Sequence, residues 1–219
     1  MPVAIITGAS RGLGRALAIG LAGAGWQLVI DGRDAEALAE VAATTAVPGD
    51  VTDPVHRVDL IAAANWLGGV DLLVNNAGIL GPSPQPALAD YPLTALRDVY
   101  EVNVFAPLAL AQLALPHVGA IVNVTSDAAI EPYPGWGGYG SAKAAIEQVS
   151  LVLAAEQPRV RVWAVDPGDL RTRMHQEAFP GEDITDRPLP ETVVPAFLRL
   201  LANRPESGRI RLADLLVSA

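Results

Sequence analysis

Val3-Ala4-Ile5-Ile6-Thr7-Gly8-Ala9-Ser10-Arg11-Gly12-Leu13-Gly14 is an apolar run of strand length that breaks into a glycine-rich turn and then enters a helical pattern. A run that is apolar on both faces reads as a strand covered on both sides. Glycines between strand and helix let the backbone bend sharply and approach a ligand. The helix beyond them offers unpaired amides to an anion such as a pyrophosphate. The spacing departs from the G-x-G-x-x-G fingerprint, and a glycine-rich turn can also be no more than a tight connection.

Outward from this stretch, strand-like runs recur at 27–30, 71–74, 120–124 and 161–165. Helical patterns lie between and after them at 13–24, 35–43, 54–66, 94–115, 138–156 and 191–202. Strands that alternate with helices and are apolar on both faces form a parallel sheet, because parallel neighbours need crossover connections. The expected fold class is therefore α/β, a doubly wound parallel sheet. At 219 residues the chain is expected to be a single domain, 1–219. Residues 81–86 and 179–190 are rich in turn formers and read as loops, and the segment 171–190 is a candidate substrate lid.

A net charge of -9 argues against general nucleic-acid binding, so an anionic ligand must meet locally placed arginines. The chain has no cysteine and only three histidines, His56, His117 and His175, too scattered to suggest a metal site. The nearly apolar stretch 105–124 is interrupted by Pro107, Gln112, Pro116, His117 and Gly119, which fits a buried helix and strand and not a membrane span. The fold signal starts at Pro2, leaving no room for a leader, and a cytoplasmic location is the expectation. Of the fifteen basic residues, one is lysine, Lys143; where arginine is used elsewhere, a retained lysine suggests a need for a compact ammonium.

Tyr139-x-x-x-Lys143 puts a phenol and that ammonium on one face of a helix, and Ser126 lies just past a strand. A solvated helix face would carry the same pair. Thr7 to Gly14, however, has the T-G-x-x-x-G-x-G spacing of the short-chain dehydrogenase/reductase family, and the chain resembles that family over nearly its full length. Asn75-Asn76-Ala77-Gly78, Tyr139-x-x-x-Lys143 and Asp166-Pro167-Gly168 with Thr172 match further family motifs.

The resemblance implies a Rossmann fold and a nicotinamide dinucleotide cofactor. Gly8, Ser10, Arg11, Gly12, Leu13 and Gly14 would form the pyrophosphate loop, and Asp50-Val51 would contact adenine. Asn76, Ala77 and Gly78 would line the cleft, and Pro167, Gly168 and Thr172 would meet the nicotinamide carboxamide. Tyr139 would be the general acid/base, with Lys143 lowering its pKa and holding the nicotinamide ribose. Ser126 would orient the substrate oxygen, and Asn103 would join a proton relay from Lys143 to solvent. Alternatively, Asn103 interrupts a helix and satisfies buried backbone. Moving a tyrosine from ~10 towards ~7 takes about 4 kcal/mol in favour of phenolate, which a neighbouring ammonium and an oxidised nicotinamide could supply by proximity.

In this family an acidic residue ending the second strand selects NAD, and basic residues nearby accept the extra phosphate of NADP. In Val29-Ile30-Asp31-Gly32-Arg33-Asp34 the alignment puts Gly32 at the acidic position and Arg33 at the next. With Arg11 this gives two guanidiniums for the phosphate, so NADP is expected; a shift of one residue would put Asp31 on the ribose and favour NAD. The expected partners are a small carbonyl or alcohol substrate and, as the family often forms, a second copy in a homodimer, with no nucleic acid, membrane or metal. Arg171, Arg173 and His175 could attract an acidic substrate, or be plain surface charges on a loop. The competing functions are an NAD-linked alcohol dehydrogenase and a non-catalytic dinucleotide sensor.

Overall fold

The computed structural model describes residues 1–41, 43–115 and 117–216. Among them are seven strands: β1 Val3–Ile6, β2 Gln27–Gly32, β3 Thr45–Pro48, β4 Leu72–Asn75, β5 Ala120–Val124, β6 Arg161–Asp166 and β7 Gly208–Arg211. They form one sheet in the order β3-β2-β1-β4-β5-β6-β7, with every pairing parallel. The helices are α1 Gly12–Gly23, α2 Ala35–Ala39, α3 Pro54–Trp66, α4 Leu93–Tyr100, α5 Ala106–Ala114, α6 Gly137–Glu156, α7 Arg173–Ala178, α8 Val194–Asn203 and α9 Leu212–Leu216.

Successive strand residues point to opposite faces, and the core divides accordingly. Ala4, Ile6, Leu28, Ile30, Leu72, Val74, Val122 and Trp163 pack with Leu17 and Leu21 of α1, Leu38 of α2 and Phe197 of α8. Val3, Ile5, Val29, Leu73, Ile121 and Val162 pack on the other face with Leu60 of α3, Leu110 of α5 and Leu153 of α6. With both faces filled, the carboxyl ends of the strands are where a site can form. β1 leads through α1 to β2 on one side, while β4 leads on to β5 on the other. This parting of neighbouring connections is the usual ligand crevice of such sheets.

The sequence reading missed both edge strands. β3 alternates half-buried and exposed residues and ends in Pro48, and β7 carries Arg209 and Arg211, so neither shows an apolar run. The expected helix 35–43 stops at Ala39. Ala42 of that helix and Pro116 of the apolar stretch lie outside the described residues. The expected helix 94–115 is α4 and α5 joined by a π-helical turn, Glu101–Phe105. Pro107, in the first turn of α5, has no N–H to return to the carbonyl of Asn103, and the wider turn takes up the fault. The helix expected at 191–202 is a 3₁₀ turn, Pro190–Val193, leading into α8. Among the described residues no helix is long and apolar enough to cross a membrane.

β7 matters because Arg209 reaches from it to the carboxyl ends of its neighbours. Its Nε donates to Glu147 Oε1 of α6 at 2.9 Å, and its Nη2 donates to Asp166 Oδ2 of β6 at 2.9 Å and to the Ser126 carbonyl at 3.2 Å. Thr125 Oγ1 donates to the same Glu147 oxygen. Removing the guanidinium strands two largely buried carboxylates. Arg209→Met is therefore expected to lower Tm by roughly 5–10 °C, read by circular dichroism melting.

Candidate active site

The two connections that part at the sheet edge are fastened by one hydroxyl. Thr7 Oγ1 accepts from the Asn76 and Ala77 amides, each at 3.0 Å, and Asn76 Nδ2 donates to the carbonyls of Thr7 and Gly8. Gly8 passes so close to the opposite loop that a Cβ there would stand 2.8 Å from Ala77 Cα, and its φ of +66° lies in the left-handed region. Only glycine fits. Arg11 sits at the N-cap of α1 without capping it, and the first turn holds no acidic side chain, so its amides remain available to an anion.

Beyond this loop lies a cleft of about 690 Å³, within the usual range of ligand pockets. Gly8, Ser10, Arg11, Gly12, Leu13, Arg33, Asp50 and Val51 line one end, and Asn76, Ala77 and Gly78 line the middle. Ser126, Tyr139, Lys143, Pro167, Gly168 and Thr172 line the other end. Of the residues expected at the site, Gly14 and Asn103 do not line it. Gly14 is buried beneath the loop, where a Cβ would meet Asn76. Asn103, in the π-helical turn, donates Nδ2 to the Ile79 carbonyl at 2.9 Å and accepts from the Ile79 amide at 3.2 Å. It thus clamps the strand-end loop just behind Gly78.

At the far end Tyr139 and Lys143 share a face of α6, at 8% and 4% exposure. Lys143 Nζ stands 5.4 Å from the centre of the Tyr139 ring and donates to the Val124 carbonyl at 2.9 Å. Burial lowers the lysine to about 8. Burial also raises the tyrosine far above its usual value, and the carboxylates of Asp127 and Asp166 add to the rise. Both groups are desolvated, and the nearby carboxylates favour the neutral phenol. Ser126 Oγ donates to Asp127 Oδ1 at 2.8 Å, and Tyr133 donates to the other oxygen of the same carboxylate. Leu80, Trp136, Met174 and Ala178 pack around Tyr139, with the Trp136 ring edge-on to it.

At the opposite end the carboxylate of Asp31 is not free to receive a ribose. Asp31 is 1% exposed; its Oδ1 accepts from the Gly8 amide at 2.6 Å, and its Oδ2 lies 3.0 Å from His56 Nε2. Gly32 faces Ser10 instead, and Arg33 and Arg11 line the cleft there. A dinucleotide fits this lining: bare helix amides, a glycine at the point of close approach and two guanidiniums at one end.

The candidate lid contains α7, capped by Thr172, whose Oγ1 accepts from the His175 amide. Several of its charged groups are paired. Arg173 bonds Glu177, Arg187 bonds Asp186, and His175 and Arg187 both lie 3.9 Å from Asp169. The sequence reading missed Asp127, His56 and Arg209. The adjacency of Ser126 and Asp127 was a usable signal, whereas the other two act across long sequence separations.

With this geometry in view, the chain matches the family model for short chain dehydrogenases over residues 2–183. It is 36% identical to the 1-deoxy-11-beta-hydroxypentalenate dehydrogenase of Streptomyces arenae over 193 residues, 78% of this chain and 68% of that protein. It is 34% identical to the gluconate 5-dehydrogenase of Gluconobacter oxydans, over 84% of this chain and 77% of that one. Among solved structures, a short chain dehydrogenase from Shigella flexneri 2a strain 301 in complex with NADP superposes with a TM-score of 0.88 at 28% identity, covering 96% of this chain and 95% of the other. One from Pseudomonas syringae gives 0.90 at 28% identity, covering 96% and 94%. The parallel sheet, the glycine turn at its switch point and the sequence match agree: the chain belongs to the short chain dehydrogenase family of oxidoreductases.

Proposed function

We propose that this protein transfers hydride between NADP(H) and the carbonyl or alcohol carbon of a small organic substrate. The observation that carries the reading is that one cleft joins the glycine loop, Arg11 and Arg33 at one end to Ser126, Tyr139 and Lys143 at the other. The nicotinamide supplies or accepts the hydride. Ser126 Oγ and the Tyr139 hydroxyl hold the substrate oxygen, and Tyr139 delivers its proton as the oxygen gains charge. Lys143 opposes the charge left on the phenolate and holds the nicotinamide ribose, and Asn103 belongs to the relay that returns a proton from solvent. The apolar wall of Leu80, Trp136 and Met174 suits substrates with an uncharged body.

Arg11 and Arg33 support NADP over NAD, since a dianionic phosphate gains charge-assisted bonds from both and Asp31 is engaged elsewhere. The neighbour from Shigella flexneri bound to NADP supports the same choice. A cytoplasmic homodimer completes the proposal, the second copy covering the exposed Phe105 and Leu113 and the exposed Leu151 and Val152 of α6.

Turnover is tested by following NADPH absorbance with a panel of aldehydes, ketones and quinones. Tyr139→Phe is expected to cut kcat by about 10³ while leaving the dinucleotide Kd unchanged. Wild-type protein that binds the dinucleotide yet turns over nothing in the panel would favour a sensor. Arg33→Ala should weaken NADPH at least about tenfold more than NADH, and equal losses would defeat the assignment of the phosphate. Since Lys143 is held to about 8, kcat/KM for carbonyl reduction should decline as pH rises through that value and the ammonium is lost. A profile flat across that range would count against its role.

A further inference from the structure

The buried carboxylate of Asp31 poses an electrostatic problem for the cofactor reading. It lines the same cleft as Arg11 and Arg33, directly under the loop that would carry the pyrophosphate. Its place is fixed by the Gly8 amide, so it cannot swing away when a polyanion arrives. An uncompensated negative charge there penalises each anionic group of the ligand, and the penalty grows with the ligand's charge. NADP carries one phosphate more than NAD and suffers more.

His56 is placed to remove this penalty. It enters from the first turn of α3, 6% exposed, with Nε2 3.0 Å from Asp31 Oδ2. The ring is packed so closely over Gly49 that any side chain at 49 would collide with it, which fixes its aim. We propose that His56 is a specificity-determining residue: it cancels the charge of Asp31 and thereby lets the cleft accept the more highly charged dinucleotide. This deepens, and rests on, the reading of the cleft as an NADP site. Asp31 is kept because it holds the loop amide, and its charge is offset by a histidine 25 residues away.

The surroundings of His56 favour its protonated form. Asp31 faces it from β2, Asp53 caps the start of its own helix, Asp59 lies on that helix, and Asp50 lies in the preceding loop with Arg33 beside it. The hydrogen bond to Asp31 raises the histidine pKa against the cost of burial. Below that raised pKa the pair is neutral overall; above it the pair carries a net negative charge.

The test measures Kd for NADP⁺ and NAD⁺ by quenching of intrinsic tryptophan fluorescence in the full chain, at mildly acidic and alkaline pH. In acid, H56Q should lose on the order of tenfold in NADP⁺ affinity and less than about threefold in NAD⁺ affinity. The double variant D31N/H56Q keeps an acceptor for the Gly8 amide without the charge, and should regain most of the NADP⁺ affinity. A merely structural role for His56 would weaken both dinucleotides alike and would not be rescued by D31N; either result overturns the inference. If H56Q does not fold, D31N alone decides: it should strengthen NADP⁺ relative to NAD⁺ in alkali, where His56 is neutral, and an unchanged ratio overturns the inference. Wild-type preference for NAD⁺ would defeat the cofactor reading, which is judged from the wild-type ratio, whereas the role of His56 is judged from the change in that ratio.

Discussion

The Thr7 hydroxyl holds the two loops at the sheet's switch point together, and the shape of the cleft depends on that fastening. It accepts from two amides of the β4 loop, while Asn76 reaches back to two carbonyls of the β1 loop. Backbone groups that sheet pairing leaves unsatisfied at the strand ends are thereby consumed, which keeps the edge rigid. The tight approach excludes any side chain at residue 8 and aims the start of α1 into the open crevice. Backbone geometry alone leaves the first amides of α1 uncapped and open to the cleft, in a chain whose net charge is -9.

Several charged side chains lie buried or half-buried around this cleft, and Lys143, Arg209 and Asp31 each have a partner among the described residues. Lys143 donates to a strand-end carbonyl, Arg209 joins Glu147 and Asp166, and Asp31 meets His56 and an amide. Unpaired, any of these would cost several kcal/mol, on the order of the cost of breaking a buried ion pair. They sit at strand ends or reach them from α6, α3 and the last strand, and so tie the elements to the site. Tyr139 stands apart. In the free cleft burial and the carboxylates of Asp127 and Asp166 favour its neutral phenol, the form that can donate a proton.

The central strands were legible because both of their faces are buried, which writes an unbroken apolar run into the sequence. β3 and β7, at the edges, need no such run, and nothing in the local sequence of β7 marks Arg209 as the residue that bonds Glu147 of α6, Asp166 and the Ser126 carbonyl. The break between α4 and α5 was hidden for a different reason: residues 94–115 keep a helical pattern, and only the missing N–H of Pro107 hints at a fault. Much of the cleft lining comes from short local motifs, since Gly8, Ser10 to Leu13, Asn76 to Gly78 and the Tyr139 and Lys143 pair each fall within a few residues of one another. Interactions between distant residues, such as Asp31 with His56, leave no periodic trace.

A crystal structure of the protein grown with NADP⁺ would test most directly whether one cleft carries both binding and chemistry. The account predicts the pyrophosphate on the first amides of α1, the adenosine phosphate between Arg11 and Arg33, and the nicotinamide ring beside Tyr139 and the Pro167 turn. A dinucleotide lying outside the cleft, or bound with its nicotinamide at the arginine end, would contradict it.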